Sequence, residues 1–300
     1  MSSFRQPATD RKLPLIAIVG PTASGKTKLA IEMALKYDGE IICADSRTLY
    51  KDMDIGTAKP SLEERSMVPH WGLDLVTPDQ AYSSAMFQQY ARSKVQEIRA
   101  RGKLPLVVGG TGLYVDSLIF DFLFGQVGGT DQREKLEKST TGELLAYCTK
   151  NNIEIPNNSK NKRYIIRAIE QRGVNNSRRS TPQSGMCVVG IATNSSQLRT
   201  RIFERAEYLF DNGVVDEATM LGKKYGWRNQ AMTGNIYPII SAYLEKQISY
   251  QEAVDNFATT DWRLAKRQMT WFRRNPFIMW CTLTDAVDYI DRLLASEQSL

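Results

Sequence analysis

Residues 16–27 read IAIVGPTASGKT. Ile16, Ala17, Ile18 and Val19 have the composition of a buried strand, and KLAIEMALKY, from Lys28 to Tyr37, has the spacing of a helix with one apolar face. Between them Gly20 to Thr27 fits G-x-x-x-x-G-K-[ST], a phosphate-binding loop that requires this strand–loop–helix setting. Gly20 and Gly25 allow backbone angles that turn successive N–H groups toward one anion, and the helix N-terminus adds its partial positive charge. Gly20, Pro21, Thr22, Ala23, Ser24, Gly25, Lys26 and Thr27 are therefore expected to hold a diphosphate, Lys26 neutralising its outer charge and Thr27 binding an accompanying Mg²⁺. What is transferred from that diphosphate stays open at this point.

Apolar runs alternate with helical patterns along the rest of the chain: EIICADS, WGLDLV, the amphipathic SAMFQQYARSKVQEIRARG, then LPLVVGG. The rhythm predicts an α/β fold, a P-loop NTPase-like parallel sheet flanked by helices. Residues 126–185 break it with short polar helical patterns and a loop-like NNSRRSTPQSG, and MCVVGIAT then resumes as a buried strand. The expected organisation is a catalytic core from 1–125 and 186–300, a helical insertion at 126–185, and C-terminal helices over Ser196–Tyr225 and Tyr237–Arg274.

Three hundred residues at 42% hydrophobic content suffice for one large core. The N-terminal MSSFRQPATDRK lacks an apolar leader and no apolar run has membrane-spanning length, so no membrane association and a cytoplasmic location are expected. Cys43, Cys148, Cys187 and Cys281 are widely spaced and there is one histidine, which argues against zinc and against structural disulfides. His70 is read as packing or capping near a strand end. The net charge is +6, and residues 126–185 hold eleven Lys and Arg against six Asp and Glu, a basic surplus suited to a phosphate backbone. Nothing in the pattern demands more than a monomer.

In sheets of this kind ligands gather at the carboxyl ends of the strands, so residues just past each strand are the chemical candidates. Asp45 follows EIICA, where its carboxylate can accept a proton from a nucleophile or merely cap a helix. GGTGLY, with Thr111, places glycines and a hydroxyl after PLVV, either for close approach of a flat group or as a plain turn. DMDIGTAKP reads as a polar surface loop with no assignable task. DWRLAKRQMTWFRRNP sets Trp262, Ala265, Met269 and Phe272 on one side of a helix and Arg263, Lys266, Arg267, Arg273 and Arg274 elsewhere, which suits a nucleic acid or a core helix with a solvated basic face. Arg201 and Arg205 are one helical turn apart and can reach one anion or make surface pairs.

Together, GPTASGKT, DSRTLYKDMDIGTAKP, PHWGLDLV, VGGTGLY, NKRYIIRAIE, RIFER and LAKRQMTWFR resemble, in order and over most of the chain, the tRNA dimethylallyltransferase family. The resemblance implies transfer of a dimethylallyl group from dimethylallyl diphosphate to N6 of the adenosine 3′ to the anticodon, in tRNAs that read codons beginning with U. Carbon, not phosphorus, would then move. It implies Asp45 as base, Thr111 beside the channel where base and allyl tail meet, and Arg205 with Lys26 and Mg²⁺ on the diphosphate. It further implies an anticodon stem-loop held by Ser46, Arg47, Thr48, Arg133, Arg163, Arg167, Lys266, Arg267 and Gln268. The chain departs from the family where Gln is common and Thr48 stands, and where Gly-Tyr-Lys or Gly-Tyr-Arg is common and Ile236-Tyr237-Pro238 stands. The short insertion is expected to loosen tRNA selectivity without touching the chemistry. The rival readings are prenylation of free adenine nucleotides, a small-molecule kinase and, from a different class, an RNA-binding NTPase without transferase activity.

Overall fold

The computed structural model describes residues 13–124, 130–171 and 178–298; the N-terminal segment read above as lacking a leader lies outside them. The chain runs β1 (Leu15–Val19), α1 (Lys26–Lys36), β2 (Gly39–Cys43), α2 (Leu62–Met67), β3 (His70–Trp71), α3 (Ser84–Ala100), β4 (Leu104–Gly109) and α4 (Gly112–Ile119). Then come α5 (Thr130–Lys138), α6 (Thr141–Lys150) and α7 (Lys162–Glu170). The chain ends with β5 (Met186–Ile191), α8 (Ser195–Asp211), α9 (Val214–Tyr225), α10 (Tyr237–Leu244), α11 (Tyr250–Phe272), β6 (Ile278–Cys281) and α12 (Leu283–Gln298). It divides into two compact units, one of residues up to Ile119 and from Thr181 onward, the other Phe120–Ser180.

The first unit is built on a six-stranded parallel sheet in the order β3-β2-β4-β1-β5-β6. Every residue of β1, β2 and β4 is buried, because a parallel sheet is covered by helices on both faces. Ile16, Ile18, Ile41, Leu106, Val108 and Val189 meet Leu29 and Met33 of α1 and Ile290 of α12 on one side. On α3 the buried positions Phe87, Ala91, Val95 and Ile98 recur at helical spacing, and Phe87 stacks on Tyr114 of α4 at 4.2 Å.

Three expectations change. WGLDLV gives strand only at Trp71: Gly72 has φ +85° and sits where a Cβ would lie 2.8 Å from the Cys43 carbonyl oxygen, and Asp74 is also left-handed, so the chain bends away from the sheet. The helix expected over Ser196–Tyr225 is two, α8 and α9, broken where Gly213 has φ +89°. The one expected over Tyr237–Arg274 is also two, because Lys246 turns left-handed and Ser249 with Glu252 forms a capping box that starts α11 afresh. His70 lies in β3 as expected, its Nδ1 2.8 Å from the Val68 carbonyl oxygen.

The unassigned DMDIGTAKP stretch is an electrostatic fixture built around the buried Lys59 and the buried Glu217. Glu217 of α9 accepts hydrogen bonds from the backbone N–H groups of Asp54, Ile55 and Gly56 at 2.6–2.9 Å and from the Tyr237 hydroxyl at 3.0 Å. The Lys59 ammonium donates to the Tyr50 carbonyl and to Asp54 and Asp74, each at 2.6 Å. Together these fix residues 50–59, immediately beyond the stretch that carries Asp45. Glu217→Ala would strand three partly buried N–H groups and the buried Tyr237 hydroxyl, so urea unfolding should show a loss of about 2 kcal/mol, with Glu217→Gln intermediate.

The second unit packs α5, α6 and α7 around Leu144, Cys148, Ile165, Ile166 and Ile169. Thr140 and Glu143 form the capping box that opens α6. The fully buried carboxylate of Glu170 accepts from Arg133 at 3.0 Å, and Arg167 lies 3.9 Å from it. With its isoleucines turned inward, α7 leaves Arg163 and Tyr164 exposed. Composition alone sets this segment at 126–185, whereas the contacts divide the chain at Phe120 and Ser180.

Candidate active site

Because β2, β4 and β1 are parallel neighbours, the residues after them issue at one edge of the sheet. Asp45 lies two residues beyond β2, Thr111 two beyond β4, and Gly20 begins the loop directly after β1. The Thr111 backbone N–H donates to the Ala44 carbonyl at 3.2 Å, and its hydroxyl accepts from the Ser46 N–H at 3.0 Å. Asp45 caps no helix: its Oδ1 accepts from the Arg47 N–H at 2.8 Å, closing an Asx turn that orients the carboxylate. Asp45 and Thr111 are thus coupled through Ser46 and Ala44.

The phosphate loop feeds α1 through Gly25, left-handed at φ +89°, which caps without a side-chain hydrogen bond. The first N–H groups of α1 have no intrahelical acceptor, which makes this end an anion site. Lys26 bends back, its Nζ donating to the Pro21 carbonyl at 3.1 Å. Burial pushes this ammonium down to about 8; Asp45 and Asp261 oppose the fall and Arg205 adds to it. All three charges therefore act on Lys26, two carboxylates and a guanidinium around one ammonium.

Arg205 of α8 donates through Nη1 to the Thr22 hydroxyl, and the same nitrogen lies 3.5 Å from Oδ2 of Asp261 on α11. Gln268, two turns after Asp261, accepts from the Thr22 N–H at 2.9 Å and donates to the Gly110 carbonyl at 3.1 Å. It straps the phosphate loop to the end of β4. A Cβ on Gly110 would lie 2.3 Å from the Gln268 amide, and one on Gly112 2.2 Å from the Trp271 indole, whose N–H donates to Asp116 at 2.7 Å. The flat groups that approach the GGTGLY glycines are the protein's own, so this stretch is a seat for α11.

Other candidates are placed differently. Arg47 donates to the Gln230 and Ala231 carbonyls at 3.2 and 3.3 Å. Thr48 is buried, its hydroxyl without a partner among the described residues. On α11 Lys266 and Arg267 are exposed, Lys266 lying 5.0 Å from the centre of the Trp262 ring, while Gln268 is turned inward. Arg133, Arg163 and Arg167 belong to the second unit, Arg133 engaged with Glu137 and Glu170. Among the described residues no three His, Cys, Asp or Glu side chains could hold a metal. A divalent ion at the loop would take its oxygens from Thr27, bound phosphate and water, a coordination that suits Mg²⁺.

Sequence reading missed Asp261. Its signal is register: Asp261, Ala265, Gln268 and Phe272 form the inward stripe of α11, and a carboxylate there is buried at 4% exposure. Burial pushes its carboxyl above the ordinary value; Arg205, a hydrogen bond from Asn235 and Lys26 oppose the rise.

The chain is similar to known proteins over most of its length. The IPP transferase model matches residues 48–275 and the isopentenyl transferase model matches residues 13–69. A tRNA dimethylallyltransferase of Acetivibrio thermocellus is 39% identical over 89% of this chain and 90% of its own length. The crystal structure of the tRNA isopentenylpyrophosphate transferase of Bacillus halodurans superposes with a TM-score of 0.74 at 32% identity, covering 96% of this chain and 99% of that one. The corresponding enzyme of Staphylococcus epidermidis gives 0.72 at 30% identity, over 95% and 99%. A strand-end phosphate loop, an acid two residues past the next strand but one and matches spanning almost the whole chain converge: the protein belongs to the IPP transferase family of transferases.

Proposed function

We propose that this transferase moves the dimethylallyl group of dimethylallyl diphosphate onto N6 of the adenosine 3′-adjacent to the anticodon of tRNAs reading codons that begin with U, releasing diphosphate. The observation that carries the reading is the placement of Asp45 and Thr111 at the same sheet edge as the phosphate loop, from strands β2, β4 and β1 that lie side by side. Kinases can also use a carboxylate to deprotonate their acceptor, so what favours alkylation over phosphoryl transfer is this placement together with the family match over residues 48–275.

The N6 lone pair is delocalised into the purine ring, so attack on the allylic carbon is helped by removing the amine proton as the C–N bond forms. Asp45 takes that proton, its free orientation limited by the Asx turn to Arg47. The C–O bond breaks with its electron pair going to the diphosphate. Lys26, Arg205 and the N–H groups that open α1 stabilise the growing charge. Mg²⁺ held by Thr27 and the phosphates would neutralise part of it when bound. Thr111 holds Ser46, next to Asp45 in the chain, through its hydroxyl. The adenine must leave its stack to enter, at modest cost in a loop. Exposed Lys266 and Arg267, and the basic second unit with Arg163 and Arg167, supply contacts for RNA phosphates.

Parallel incubations with labelled dimethylallyl diphosphate and labelled ATP, each offered an anticodon stem-loop and free AMP, test this. Label from the prenyl donor should enter the stem-loop alone. Label from ATP in either acceptor, or prenylation of AMP as efficient as that of RNA, would refute it.

Lys26 adds a pH signature. Its ammonium is held down to about 8 in the free site. An incoming diphosphate favours the charged form and raises that value, so binding takes up a proton above pH 8. The contribution of Lys26 to pyrophosphate affinity, taken as the difference between wild type and Lys26→Ala at each pH, should be constant below about pH 8 and fall above it by up to tenfold per pH unit until the bound-state value is passed. Titration calorimetry in buffers of different ionisation heat should detect the proton uptake.

A further inference from the structure

We propose that Asp261 is a positioning residue for Arg205, holding the guanidinium against the phosphate loop before diphosphate arrives; the proposal rests on the reading of Arg205 as a leaving-group contact. Asp261 is buried on the inward stripe of α11, its side chain 6% exposed, with Oδ2 3.5 Å from Nη1 of Arg205. The same Nη1 reaches the Thr22 hydroxyl, so one nitrogen bridges α11 and the loop. A side-chain hydrogen bond from Asn235 also bears on the carboxylate.

The placement is informative because a carboxylate near an anion site opposes the anion. As a contact for diphosphate, Asp261 is repulsive, and Lys26 feels its charge. Its compensating effect is on geometry. An arginine reaching from α8 has many rotamers, and only a few bring Nη1 to Thr22; a buried carboxylate two turns before Gln268 selects among them. Gln268 fixes the Thr22 backbone and Asp261 fixes the arginine that meets the Thr22 hydroxyl, so α11 sets both halves of one contact. The benefit falls on the transition state, where charge on the leaving oxygen is greatest, more than on ground-state binding.

Asp261→Asn keeps volume and removes the charge. In the wild-type background it should lower kcat about tenfold, while inhibition by pyrophosphate shifts by less than about threefold, because lost orientation and lost repulsion offset each other in binding. In an Arg205→Ala background the same substitution should change kcat by less than about twofold, because nothing is left to position. Asp261→Glu should recover part of the activity, and thermal unfolding of each variant identifies losses that come from misfolding. Equal losses in both backgrounds, or an unchanged kcat in Asp261→Asn, overturn the proposal alone. An Arg205→Ala enzyme with full activity overturns the reading of Arg205 and this proposal with it.

Discussion

Asp45→Ala should lower kcat for prenyl transfer by on the order of a hundredfold or more and leave pyrophosphate binding nearly unchanged. The carboxylate stands at the sheet edge, its Oδ1 held by the Arg47 backbone N–H, while the Lys26 ammonium, which feels its charge, donates to the Pro21 carbonyl. Removing it deletes the proton acceptor while the loop, Lys26 and Arg205 stay intact. Asp45→Asn separates charge from shape, since the amide can keep the turn to Arg47 but cannot take a proton. Both variants should be measured by single-turnover transfer, so that slow RNA release does not mask the chemical step. An RNA-binding nucleotidase with no alkylating activity would be indifferent to either change.

Lys26→Ala should be at least as damaging, on the order of a hundredfold to a thousandfold in kcat/KM, and should also weaken pyrophosphate by about tenfold or more. This separates it from Asp45→Ala, which acts on one side of the transfer only. The ammonium sits in a site partly dehydrated by the protein, where a charge–charge contact is worth more than in water. Lys26→Arg is not a conservative test here. The planar guanidinium is longer and wider than the ammonium that donates to the Pro21 carbonyl at 3.1 Å, and it cannot titrate near pH 8. That variant should therefore be defective too, and it should abolish the proton uptake that accompanies pyrophosphate binding.

Much of the core was legible because each functional stretch directly follows an apolar run. IAIV, EIICA and PLVV announce buried strands, and the parallel order places whatever follows them at one edge. What could not be read depends on partners distant in sequence. DMDIGTAKP looks like a solvated loop because its anchor, Glu217, is on another helix far along the chain. The glycines of GGTGLY look like a ligand seat until Gln268 and Trp271 fill the space. On α11 the apolar residues Trp262, Ala265, Met269 and Phe272 outline a face one position away from the inward stripe at two points, where Asp261 and Gln268 are polar and carry no apolar signal. The edge strand β6 is four residues long and begins two residues after Pro276, too short for periodicity to distinguish, and α12 follows it at once.

Mass analysis of the nucleosides from an unmodified anticodon stem-loop, after incubation with the protein, Mg²⁺ and dimethylallyl diphosphate, tests the central claim most directly. One adenosine should gain a single C5H8 unit on its exocyclic nitrogen, with one diphosphate released for each modified RNA. Donor hydrolysis with every nucleoside unchanged in mass, or an RNA that has gained a phosphate, would contradict it.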